Sequence, residues 1–212
     1  MSVHLKIEHE ILKTYSFVAG VDEVGRGAFA GPVVVGICVV GRETKKPPRG
    51  LNDSKLLKPS VREALQTPIE EWAMGTATGE SSAEEIDEWG LSRALFMAYV
   101  RGIEKIDIEI EAVILDGKHD WISAFSKDLF SPLSHTPAVT TRVKADTEAA
   151  SVAAASVIAK NYRDAYMMSI EKEFPGYGFA MNVGYGTPQH KQAIASLGLT
   201  SQHRKSWHLS TE

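Results

Sequence analysis

Phe17-Val18-Ala19-Gly20-Val21-Asp22-Glu23-Val24 runs into Gly25-Arg26-Gly27, and beyond Gly31 the chain resumes with Pro32-Val33-Val34-Val35-Gly36-Ile37-Cys38-Val39-Val40. Both stretches are near-continuous apolar runs. They lack the alternation of a strand with one wet face, so they predict two strands covered on both sides and joined by a glycine-rich turn. Asp22 and Glu23 then fall at or near the end of a buried strand. Two adjacent acids in that setting are costly unless something neutralises them, and a divalent cation does so most simply.

Outward from this pair, 41–59 is polar and rich in Pro and Gly and predicts a loop. Ser60-Val61-Arg62-Glu63 and Ser82-Ala83-Glu84-Glu85 match the capping-box pattern and predict two helix starts. A third strand is expected over 74–79, a helix over 91–106, and short strands over 112–116 and 139–143. From 147 to about 173 the chain predicts one long helix. Its many alanines imply close packing on a sheet. A glycine-rich loop is expected over 174–186, and Thr187-Pro188 gives an N-cap and first helical position for a helix that Gly198 closes. Strands alternating with helices predict an α/β or α+β domain with helices around a central sheet. The expectation is one domain over 1–212 with a C-terminal helical extension from about residue 174.

Three sheet-associated segments each deliver a carboxylate. Besides Asp22-Glu23, Asp116 ends the run Val113-Ile114-Leu115, and Asp146 closes the strand-like run Val143-Lys144-Ala145. If those ends lie together, four acids meet. An oxygen-only ligand set suits hard cations such as Mg²⁺ and Mn²⁺. Taken singly, each acid reads better as a solvated strand end, and Asp146 as a cap on the following helix, whereas Asp22-Glu23 in its glycine context reads as metal-binding. In the 25–27 loop, glycines allow backbone groups to approach a ligand closely, and Arg26 is suited to a phosphate.

The strings Gly20-Val21-Asp22-Glu23-Val24-Gly25-Arg26-Gly27, Leu51-Asn52-Asp53-Ser54-Lys55-Leu56-Leu57, Leu115-Asp116-Gly117, Lys144-Ala145-Asp146, Ala153 to Lys160 with Arg163-Asp164, Gly184-Tyr185-Gly186-Thr187 and His203-Arg204-Lys205-Ser206-Trp207 occur in that order. In them the chain resembles the ribonuclease HII family along nearly its whole length. The resemblance implies a ribonuclease H-like fold with a central mixed sheet flanked by helices and a C-terminal helical lobe. It implies that Asp22, Glu23, Asp116 and Asp146 are the catalytic, metal-binding acids, with Mg²⁺ or Mn²⁺ as cofactor. It further implies that Gly25, Arg26 and Gly27 read the junction between ribonucleotide and deoxyribonucleotide, with Tyr185 packing on the neighbouring deoxyribose. The implied substrates are RNA–DNA hybrids and DNA duplexes containing ribonucleotides, cut 5′ of a ribonucleotide to leave a 3′-hydroxyl. A monomer and a role in removing misincorporated ribonucleotides are implied likewise. Lys55 and Lys144 are candidate phosphate contacts.

The bulk of the chain is consistent with this. Its 212 residues are 43% hydrophobic and 24% charged, an ordinary globular composition. The net charge of −4 argues mildly against a general nucleic-acid binder. A local basic segment containing Arg42, Lys45, Lys46, Arg49, Lys55 and Lys58 offsets this as a rim for a duplex. The single Cys38 sits in an apolar run, which favours a reducing compartment. No secretion signal or membrane-spanning stretch is read, and the expected location is cytoplasmic. Ser156 and Lys160 share a helical face that meets nucleic acid, packs or faces solvent. His203-Arg204-Lys205 is expected to be a solvated tail. The histidines, His119, His135, His190, His203 and His208 among them, lack the spacing of a zinc site.

Overall fold

The computed structural model describes residues 3–128, 131–207 and 209. The elements follow in the order α1 (Lys6–Ile11), β1 (Phe17–Val24), β2 (Val33–Gly41), α2 (Pro59–Trp72), β3 (Gly75–Ser81), α3 (Ala83–Trp89), α4 (Leu91–Ile103), β4 (Ala112–Asp116), α5 (Trp121–Ser126), β5 (Ala138–Arg142), α6 (Ala150–Ile170), α7 (Phe179–Asn182) and α8 (Pro188–Leu197). Two 3₁₀ turns, Ser54–Leu56 and Ala145–Thr147, complete them.

The strands form one mixed sheet in the order β3-β2-β1-β4-β5. β1 is antiparallel to β2 and parallel to β4, and β4 is parallel to β5. The apolar runs of β1 and β2 are explained by cover on both faces. Val18, Cys38, Val40 and Ile114 pack with the alanine-rich part of α6, whereas Ala19, Val21, Val35, Ile37, Val113 and Leu115 pack with α4 and α5. The small residues of α6 do what was expected of them. A Cβ at Gly36 would collide with the backbone of Ala155, and one at Gly20 with that of Ser151, so helix and sheet touch backbone to backbone. The C-terminal lobe packs a separate cluster, Met167, Ile170, Tyr177, Phe179 and Ile194, onto the end of α6.

Local expectations differ from the fold in three places. The box at Ser60 does not form, because α2 starts two residues earlier, with Lys58 as an N-cap without a side-chain bond and Pro59 at its first turn. The box at Ser82 does form, with Glu85 answering. The long helix begins at Ala150 rather than 147, since residues 145–147 make the 3₁₀ turn. The loop after Phe174 contains the short α7. No helix among the described residues is long and apolar enough to cross a membrane.

Candidate active site

Parallel pairing carries β1 and β4 to the same edge of the sheet. Their paired register ends at Val21↔Leu115, so Asp22 and Asp116 come next on adjacent strands. Alternation along β1 sends Asp22 and Glu23 to opposite faces at the strand's end. Asp146, expected to close a strand-like run, lies instead in the 3₁₀ turn after β5, behind Lys144 in a left-handed conformation (φ 61°). That turn is fastened to β4, because the Ala145 N–H donates to Asp116 Oδ1 at 2.7 Å. Nor does Asp146 cap α6. The cap comes from Glu8 on α1, whose Oε1 accepts from the Ser151 N–H and Oγ, both at 2.8 Å.

The acids sense one another. Asp22 is held well above the usual carboxylate range, first by burial and then by Glu23, Asp116 and Asp146. Glu23 is also raised, mainly by burial, although Arg26 opposes the shift from 3.0 Å. Asp146 is pushed up to about 6 by burial, by Asp116 and Asp53, and by a hydrogen bond with Asp53. Lys55 answers from the rim with its Nζ 3.7 Å from Asp146. Burial disfavours the Lys55 charge, but Asp22, Asp53, Asp146 and Asp116 together outweigh that and raise it. Lys144 stands exposed beside the same turn.

One ammonium against this many carboxylates leaves negative charge in excess. Glu23 Oε2 is buried without a hydrogen-bond partner. The donor set is all oxygen, with an unused lone-pair site among it, and therefore suits a hard divalent cation. Among the described residues, no three acidic, histidine or cysteine side chains yet close around one point as a formed metal cage. The carboxylates are neighbours that a cation would have to draw inward.

The 25–27 loop abuts this edge. Gly25 has φ +84°, and a Cβ there would strike the Arg163 side chain, so this glycine makes room for a buried arginine rather than for a ligand. Gly27 is the open position, with nothing within 4 Å of where its Cβ would lie. Phe29 and Ala30 donate to the Gly184 carbonyl, which joins this loop to the one bearing Tyr185. The half-buried Tyr185 ring lies 5.6 Å from the guanidinium carbon of Arg163.

A sequence model of the ribonuclease HII family matches residues 19–210. The chain belongs to the ribonuclease HII family. It is 45% identical over 190 residues to the ribonuclease HII of Streptomyces avermitilis, covering 90% of this chain and 76% of that protein. Among solved structures it resembles the ribonuclease H2 of Pyrococcus horikoshii, with a TM-score of 0.72 and 26% identity over 91% of this chain and 94% of that one. It is also similar to the ribonuclease HII in the PCNA:RNase HII complex of Archaeoglobus fulgidus, with a TM-score of 0.71 and 27% identity over 92% and 96% of the two chains. As a member of the ribonuclease HII family, it is an endonuclease of the ribonuclease H type.

Three buried side chains of this protein are not evident from the sequence. Asp53 sits buried beside Asp146, and its place in the string 51–57 is the sequence signal for it. His203 and Arg204 are buried, not a solvated tail. Arg204 can be buried because its fork donates to carbonyls of Gly25, Arg26 and Gly31, and His203 because its Nε2 meets that of His190 at 3.1 Å. His208 lies outside the described residues. Ser156 packs rather than faces solvent, with its hydroxyl bonded to Ser54 at 2.7 Å, and Lys160 pairs with Asp164 at 2.7 Å.

Proposed function

We propose that this protein hydrolyses the RNA strand of RNA–DNA hybrids and cuts on the 5′ side of ribonucleotides embedded in duplex DNA, leaving a 3′-hydroxyl. The observation that carries this reading is that Asp22, at the end of β1, senses the charges of Glu23, Asp116 and Asp146 beside a loop whose glycine at 27 is open. Asp22, Glu23, Asp116 and Asp146 would hold Mg²⁺ or Mn²⁺. Two such ions, when bound, supply an activated water and stabilise the leaving oxygen.

The chain's own residues do the rest. The mutual repulsion of the acids gives the site its affinity for cations. Lys55 and Lys144, at the rim, take phosphates of the duplex and set its register. The backbone of Gly25, Arg26 and Gly27 meets the 2′-oxygen that distinguishes RNA from DNA in the wide minor groove. Tyr185 packs on the sugar next to the junction, its ring steadied by Arg163. We read residues 1–212 as one catalytic domain with residues from about 174 as its helical extension, acting as a monomer in the removal of misincorporated ribonucleotides.

The test is cleavage of a DNA duplex containing one ribonucleotide, in Mg²⁺ or Mn²⁺, beside an all-DNA control. A single cut at the ribonucleotide with the control intact is expected. Folded protein that leaves the ribonucleotide duplex uncut in both metals, or that cuts both duplexes alike, defeats the proposal.

A further inference from the structure

Arg204 is fully buried and forms no ion pair with a carboxylate among the described residues. A buried cation without a counterion is expensive, and burial together with the nearby Arg163 pushes Arg204 down to about 9. Its fork is spent on backbone oxygens of one loop. Nη1 donates to the Arg26 carbonyl at 3.0 Å, and Nη2 donates to those of Gly25 at 2.6 Å and Gly31 at 3.1 Å.

Those bonds decide where the loop's amides point. The peptide bonds are trans, so in each unit the N–H projects opposite to the C=O. Pulling the Gly25 carbonyl inward turns the Arg26 N–H outward, and pulling the Arg26 carbonyl inward turns the Gly27 N–H outward. Arg26 and Gly27 are exposed, and neither N–H has a hydrogen-bond partner among the described residues. Two consecutive free N–H groups with a cation behind them form a concavity that selects an oxygen acceptor.

We propose that Arg204 is a positioning residue for ribonucleotide recognition, holding the peptide groups 25–26 and 26–27 so that the N–H groups of Arg26 and Gly27 meet a 2′-oxygen. The inference rests on the reading of residues 25–27 as the loop that meets the junction. The arginine is itself held rigidly. The Trp207 ring lies 4.8 Å beneath the guanidinium carbon, the Arg204 N–H donates to the Phe29 carbonyl, and Asp87 accepts from the N–H groups of Lys205 and Ser206. Arg163 braces the other side of the loop with bonds to the carbonyls of Ala30, Pro32 and Val183. A lysine could keep the charge at 204 but not the fork that grips several carbonyls at once.

The experiment compares the wild-type protein with Arg204→Lys on two ligands in Mg²⁺. One is a duplex with a single ribonucleotide, giving KM and kcat. The other is the same sequence in all-DNA form, giving its inhibition constant. For Arg204→Lys the KM for the ribonucleotide duplex should rise about tenfold, the scale of one well-placed hydrogen bond, while the inhibition constant of the all-DNA duplex stays unchanged. An unchanged KM, or an equal loss on both duplexes as phosphate binding alone would give, overturns the proposal. A second measurement serves if the variant does not fold. In the wild-type protein without metal, the amide signals of Arg26 and Gly27 should shift with the ribonucleotide duplex and not with the all-DNA duplex, and equal shifts with both would overturn it. Should the wild-type enzyme cut no ribonucleotide duplex at all, the functional reading fails rather than the role of Arg204.

Discussion

Asp146→Asn should make this protein more stable while making it inactive. Burial, the Asp116 and Asp53 charges and the hydrogen bond with Asp53 raise Asp146 from 3.8 to about 6. That difference corresponds to about 3 kcal/mol of cost for the ionised side chain in the fold. The sign follows from proton linkage. Below the unfolded value of 3.8 the carboxyl is protonated in both states and the cost is absent. Between that value and about 6 the folded protein binds more protons than the unfolded chain, so wild-type stability falls as pH rises. Above the window the cost is present in full. Asparagine is neutral throughout, and its amide can donate to the Asp53 carboxylate. The lost ion pair subtracts little, because the Lys55 side chain is 70% exposed. At about pH 8 in a chelator, the variant should therefore melt higher by up to about 6–12 °C for a chain of this size. At about pH 4 the gap should nearly close. Added Mg²⁺ or Mn²⁺ should raise the melting temperature of the wild type more than that of the variant, because the cation binds the folded carboxylates. A variant that melts at or below the wild type at the higher pH, or a gap that ignores pH, would refute the reasoning.

Asp22→Asn should abolish cleavage of a single-ribonucleotide duplex by several orders of magnitude while circular dichroism remains native, and an active variant would remove Asp22 from the site. Gly25→Ala must place a Cβ against Arg163 at a φ of +84°. It should cost on the order of 1–3 kcal/mol in denaturant unfolding and weaken binding of the ribonucleotide duplex, and a neutral result would show that the loop relaxes freely. Lys55→Met removes the ammonium facing the carboxylates. It should raise KM for the duplex with a shallower salt dependence, and an unchanged salt slope would exclude Lys55 from phosphate contact.

The sheet strands were legible because burial on both faces leaves an unmistakable apolar run, as in β1 and β2. The alanines of 150–159 announced a close helix–sheet contact, and the Thr187-Pro188 and Gly198 signals bracketed α8, because capping chemistry is local. The segments α1 and α5 were missed, since six residues give too few turns for a periodicity. The string Asp22-Glu23 followed by Gly25-Arg26-Gly27 pointed to chemistry because paired acids at a buried strand end need a partner.

The tertiary structure alone decided what those residues meet. Parallel pairing of β1 with β4, which side-chain pattern does not encode, brings Asp22 and Asp116 to one edge. The turn holding Asp146 is placed by a bond from Ala145 to Asp116 across 29 positions of chain. Asp53, His203 and Arg204 look like solvent residues in isolation, because a polar side chain is buried only when distant groups satisfy it, and sequence lists the group without its partners. Gly25 is the clearest case: its lack of a side chain was plain from the start, but only the fold shows that the vacated space belongs to Arg163.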